Sequence, residues 1–114
     1  MEECIFCRII AGKIPADVVY ADDQVFAFKD INPAAPVHIL LIPREHLATF
    51  NDFEPRHKEL IGHIALVLKK IAADQGLAEK GYRVLVNCGP ESGQVVYHLH
   101  YHLLGGRPLG ALLP

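Results

Sequence analysis

The sequence contains no tryptophan, a single methionine and only three cysteines in 114 residues. It also lacks any run of lysine and arginine, and its formal net charge is −2 at pH 7. Proteins that grip a nucleic-acid backbone neutralise phosphates with clustered cations, so that class of partner is not expected. No apolar stretch approaches the roughly 20 residues of a membrane-spanning helix. The opening Met1-Glu2-Glu3-Cys4 carries acid where a secretory signal would carry positive charge. These absences predict a cytoplasmic protein with neither a membrane nor a nucleic-acid partner. Three cysteines make a poor disulfide framework. In a reducing compartment Cys4-x-x-Cys7 points instead to metal or redox chemistry, and Cys88 reads as a small core residue.

What is present is apolar surface and histidine. Residues 1–114 suffice for one domain with a real core and not for two. The apolar fraction, 51%, is at the upper end for a soluble domain, and burial against a second copy would account for the surplus, so a homodimer is expected. The organising stretch is Val95-Val96-Tyr97-His98-Leu99-His100-Tyr101-His102-Leu103-Leu104. Its β-branched and aromatic composition predicts a strand, on which His98, His100 and His102 share one face while Leu99, Tyr101 and Leu103 take the other. On a strand the outer two histidines stand roughly 13 Å apart, too far for all three rings to close on one ion.

Along the chain, Cys4 to Ile10 with Gly12 behind it predicts a short helix. Val18-Val19-Tyr20 and Gln24 to Phe28, separated by Asp22-Asp23, predict a hairpin, and His38 to Pro43 a third strand ended by proline. From about Pro55 to Gln75, Leu60, Ile61, Ile64, Leu68 and Ile71 recur at helical spacing, with Gly76 as the stop. Tyr82 to Asn87 alternates as a fourth strand, and Gly89 to Gln94 is a loop that can turn backbone N–H groups towards an anion. The order is that of an α+β protein with antiparallel pairing. His57 and His63, on the long helix, read as ordinary surface or helix residues.

Histidines at alternate strand positions could be metal ligands, a nucleophile with an acid–base partner, or polar residues of a wet face. Three in alternation behind a glycine loop favour chemistry, since burying titratable rings without use is costly. Imidazole attacks phosphorus to give a phosphoramidate, and N–H groups from Gly93 to Val95 would stabilise charge on phosphate oxygens.

The segment His98-Leu99-His100-Tyr101-His102-Leu103-Leu104 resembles the signature of the histidine triad (HIT) family, His-φ-His-φ-His-φ-φ with φ apolar. The resemblance extends through Ile5-Phe6, Ile14-Pro15-Ala16, Phe28 to Pro33, Ala35 to His38, Asn87, Gly93-Gln94 and Gly105-Gly106-Arg107, and is nearest to the Hint branch. It implies the HIT-like fold, an antiparallel sheet of about five strands with one long and one short helix, continued across a homodimer. It implies also a purine nucleoside phosphoramidase, which cleaves the P–N bond between AMP or GMP and an amine. In that chemistry His100 attacks the α-phosphorus and water hydrolyses the nucleotidyl-histidine, with His102, His98 and His38 orienting it and handling protons. The same resemblance implies that Asp30 holds the ribose hydroxyls, that Phe6, Ile9, Phe28 and Ile31 wall the base, that Gly93, Gln94 and Val95 meet the phosphate, and that Asn87 sits near the leaving group. The uridylyltransferase branch carries glutamine in place of His102, so the chain falls on the hydrolase side.

Two departures stand out. Many similar members have a hydroxyl residue where this chain has Val95, and eukaryotic ones end in a tryptophan-bearing tail where this chain has Leu109 to Pro114. Some bacterial members also begin Cys-Ile-Phe-Cys and carry a histidine after the third strand, here His46. That likeness implies a structural zinc on Cys4, Cys7, His46 and His98, a closed set with no position for substrate. The rival readings are a nucleotide-binding regulatory module with vestigial activity, a hydrolase of dinucleoside polyphosphates, and a metallohydrolase with zinc on two of the histidines.

Overall fold

Five short, largely apolar segments pair into one antiparallel sheet, seen in a computed structural model that describes residues 3–111. The expectations for Met1-Glu2 and for the last three residues of the tail lie outside the described residues. The strands are β1 (Val18–Ala21), β2 (Val25–Lys29), β3 (Val37–Pro43), β4 (Tyr82–Val86) and β5 (Tyr101–Gly105), in the order β1-β2-β3-β5-β4. Two helices flank them, α1 (Ile5–Ile10) and α2 (Lys58–Asp74), the latter entered through a 3-10 turn at Pro55–His57. The Asp22 turn works as its residue type suggests. One carboxylate oxygen accepts the N–H groups of Gln24 and Val25, both at 2.8 Å, and the other accepts from Tyr20 Oη at 2.8 Å and His63 Nε2 at 2.6 Å. His63 thereby ties α2 to the β1–β2 turn, so it has a structural partner that helical position alone did not suggest.

The pleat sorts the side chains into two layers. Val25, Ala27, Ile39, Leu41, Tyr101 and Leu103 pack with Leu60, Ile64, Val67, Leu68 and Ile71 of α2. On the opposite face Phe26, Phe28, Leu40 and Ile42 are covered by Phe6 and Ile9 of α1. His38 shares parity with Leu40 and Ile42, and His102 lies opposite Leu40 in the β3–β5 register. The histidines therefore stand on the α1 side, and α2 supplies the core behind them.

The histidine segment differs from the strand expected over Val95 to Leu104. Pairing begins only at Tyr101, and Val95 to His100 is irregular. The cause is local: the His98 carbonyl accepts the His100 ring N–H at 2.8 Å, and the Leu99 N–H goes to the Leu47 carbonyl at 2.7 Å, outside any ladder. Alternation survives nonetheless, with Leu99 in the α2-side core beside Tyr101 and Leu103. Among the described residues no helix is long and apolar enough to cross a membrane.

Candidate active site and metal-binding group

Hydrogen-bond partners fix where the protons sit on the neutral rings. His38 Nδ1 accepts the Ala34 backbone N–H at 3.0 Å, so its proton is on Nε2. That Nε2 lies 2.9 Å from His102 Nδ1 and 3.4 Å from Asp30 Oδ2. His102 therefore accepts at Nδ1 and carries its own proton on Nε2. Burial, then the neighbouring rings of His100 and His38, push the His102 pKa down to about 4 against the pull of Asp30, which keeps the ring neutral at pH 7. His100 has the opposite tautomer: its Nδ1–H donates to the His98 carbonyl, leaving the lone pair on Nε2. The rings of His100 and His102 are 5.1 Å apart. A nucleophilic nitrogen and an N–H donor thus stand side by side.

Cys4 caps α1, its sulfur accepting the Cys7 N–H at 3.3 Å, and the Cys-x-x-Cys spacing puts both sulfurs on one side of the first turn. Their Sγ atoms face His98 Nδ1 at 3.4 and 3.5 Å, and Cys7 Sγ lies 3.3 Å from His46 Nδ1. Four ligand atoms, from Cys4, Cys7, His46 and His98, lie within 4.8 Å of one another, a possible metal site. His98 Nε2 donates to the Pro43 carbonyl at 2.8 Å, which leaves the Nδ1 lone pair turned towards the sulfurs. Burial and the neighbouring Cys4 raise the Cys7 thiol to about 11, and burial lowers His98. A bound cation would reverse the first of these by stabilising thiolate. Asp30, His38 and His102 form a second group of equal compactness. There the Ala34 N–H holds a proton on His38 Nε2, in the space a cation would need, so the tautomer opposes a metal.

The remaining residues divide. Phe6 packs edge-on against Phe28 at 5.5 Å and His100 at 5.2 Å, with Ile9 in the same buried cluster. Ile31, expected beside them, is 90% exposed and outside that cluster. Asp30 Oδ1 accepts the Asn32 N–H at 2.8 Å as a turn residue, while Oδ2 faces His38. Asn87 directly follows β4. Gly93 takes a left-handed conformation, φ +91°, and the Val95 side chain is exposed. Gln94 is buried with its amide spent on the backbone, accepting from Gly89 N–H and donating to the Ala48 and Val96 carbonyls.

His57, expected to be an ordinary surface or helix residue, is 2% exposed. Its Nδ1 accepts the Glu54 N–H at 2.9 Å and its Nε2 donates to the Glu45 carboxylate at 3.2 Å. The spacing Glu54-Pro55-x-His57 at a helix start, that of a capping box, is the signal that would have found it.

Residues 11–109 match the HIT domain family. The chain is 52% identical over 112 residues to the Escherichia coli (strain K12) protein named purine nucleoside phosphoramidase, covering 98% of this chain and 94% of that protein. Among solved structures it resembles a HIT family hydrolase from Clostridium thermocellum, TM-score 0.96 at 48% identity over 99% of both chains. It is also similar to a histidine triad protein from Clostridium difficile, TM-score 0.94 at 44% identity over 99% of this chain and 98% of the other. With the alternating histidines, the five-stranded sheet and these relatives in agreement, the chain belongs to the HIT domain family.

Proposed function

We propose that the chain hydrolyses nucleoside 5′-phosphoramidates, cleaving the P–N bond between AMP or GMP and an amine. The observation that carries this reading is the pairing of opposite tautomers, a lone pair on His100 Nε2 beside the proton on His102 Nε2. His100 Nε2 attacks the α-phosphorus, and a P–N bond to the enzyme forms as the substrate P–N bond breaks. The amine departs on taking up a proton from water. The neutral His102 donates its Nε2–H to a phosphoryl oxygen, and the Val95 backbone N–H shares the charge, since those of Gly93 and Gln94 donate to the Pro90 and Gly89 carbonyls. Water then cleaves the nucleotidyl-histidine, releasing the nucleotide and restoring the lone pair. His38 holds the His102 proton in place, Asp30 offers Oδ2 to the ribose hydroxyls, Phe6, Ile9 and Phe28 wall the base, and Asn87 faces the leaving amine. The name of the E. coli relative, purine nucleoside phosphoramidase, supports the substrate class.

The metal reading is a structural zinc. Zn–S near 2.3 Å and Zn–N near 2.05 Å give a tetrahedral S–N edge of about 3.6 Å, and the observed separations are 3.3, 3.4 and 3.5 Å. Such a closed set leaves no position for substrate; when bound, the ion cross-links α1, the exit of β3 and the histidine segment. A homodimer in a reducing cytoplasm completes the proposal.

His100→Ala tests the nucleophile. Turnover of adenosine 5′-phosphoramidate should fall by several powers of ten with AMP binding retained. Retention of a tenth of the activity, about 1.4 kcal/mol of barrier, would remove His100 from that role. Wild-type turnover that survives a chelator would exclude a catalytic metal.

A further inference from the structure

The chemistry proposed above uses neither His57 nor Glu45, although His57 is buried and bonded at both ring nitrogens. The pair sits at the start of α2. Glu54 N–H fixes the proton on His57 Nε2, which faces both oxygens of Glu45 at 3.2 and 3.3 Å, and Arg56 grips the same carboxylate at 2.6 Å. The edge of the Phe53 ring closes on His57 at 5.7 Å.

Glu45 precedes His46, and the short stretch around it meets the histidine segment twice and α1 once. The Pro43 carbonyl accepts from His98 Nε2, His46 Nδ1 faces Cys7, and the Leu47 carbonyl accepts the Leu99 N–H. One ligand of the metal-binding group, and the carbonyl that orients another, are thus carried by the residues that His57 holds through Glu45. Arg44 anchors the same stretch from the other side, to the Gln24 and Asp22 carbonyls. We infer that His57, acting through Glu45, is a positioning residue for the metal centre, presetting His46 and His98 before an ion arrives. This rests on the metal reading above and adds to it a determinant of affinity that touches no ligand atom.

The test is cobalt(II) titration of the metal-free protein, followed by its thiolate charge-transfer and ligand-field absorption, alongside melting of the metal-free form. Wild type should show the thiolate band. Glu45→Ala and His57→Leu should weaken Co²⁺ binding by about 10- to 100-fold, the usual cost of losing a group that orients a ligand. His57→Gln, which can keep an N–H towards Glu45, should bind within a few fold of wild type. If His57→Leu fails to fold, Glu45→Ala, altered at a partly exposed side chain, decides the matter alone. Wild-type affinity in Glu45→Ala, with only the metal-free melting point lowered, would make the pair purely structural and overturn the inference. Absence of a thiolate band in wild type would instead sink the metal reading itself, and the two failures are distinct.

Discussion

A single histidine changes its chemistry according to what its two nitrogens touch, and His102 is the clearest case here. Its pKa in the folded chain, about 4, lies below the ordinary value of 6.5, and burial lowers His98 in the same direction. Between those values the unfolded chain binds more protons than the folded one, so stability is fully present above pH ~6.5 and is lost as pH falls towards 4. Urea midpoints of the metal-free protein should therefore drop between pH 7 and pH 5, and His102→Gln should flatten that decline. A midpoint independent of pH over this interval would mean that the ring is solvated and charges freely. The sequence made these rings legible as a set, because their alternation is visible in residues 98–102. It could not reveal their tautomers, which are decided by the Ala34 N–H, the Pro43 carbonyl and the His98 carbonyl, backbone groups distant or irregular in placement.

At the scale of elements, α1 is six residues long, too short to be stable on its own propensity. Its order comes from Phe6 and Ile9 packed on the sheet and from the two cysteines that flank Phe6. Replacing Cys4 and Cys7 together by serine should lower the melting temperature by several degrees, and should raise KM for a nucleotide more than it lowers kcat, since Phe6 forms part of the proposed base wall. Calorimetry and steady-state kinetics check both, and equal melting of the variant and wild type in metal-replete buffer would exclude a stabilising ion. Strands and helices were readable because Val25 to Phe28 and Ile39 to Ile42 are short unbroken apolar runs, buried on both faces, and Leu60 to Ile71 keeps a helical period. The irregular Val95 to His100 was not, because composition favours a strand there while side-chain and cross-segment bonds capture the backbone. His57 was hidden for a related reason: a polar residue at a helix start is usually solvated, and here Glu45 arrives from another part of the chain to bury it.

For the molecule as a whole, the sheet ends in β1 and β4, and β4 exposes Tyr82 and Val84, which share a shallow groove with Ile61 of α2. An open edge next to apolar helix surface invites pairing with a second copy. Light scattering at micromolar concentration should return twice the chain mass, and Val84→Lys should shift the population towards monomer. A monomeric wild type at that concentration would leave the apolar surplus of the composition unexplained. Fold class and element order followed from short apolar runs bounded by turn residues and from the helical period of α2, with β2 and β3 dividing their apolar residues between the two layers.

The three bonds of His98 have a consequence for how such a chain can change over evolutionary time. Its Nδ1 faces the cysteines, its Nε2 holds Pro43, and its carbonyl holds the His100 ring. Only the first of these duties ends if the cysteines mutate. A lineage that lost Cys4, Cys7 and His46 would still be under pressure to keep at position 98 a side-chain donor for the Pro43 carbonyl, while the backbone carbonyl that orients His100 would survive any substitution there.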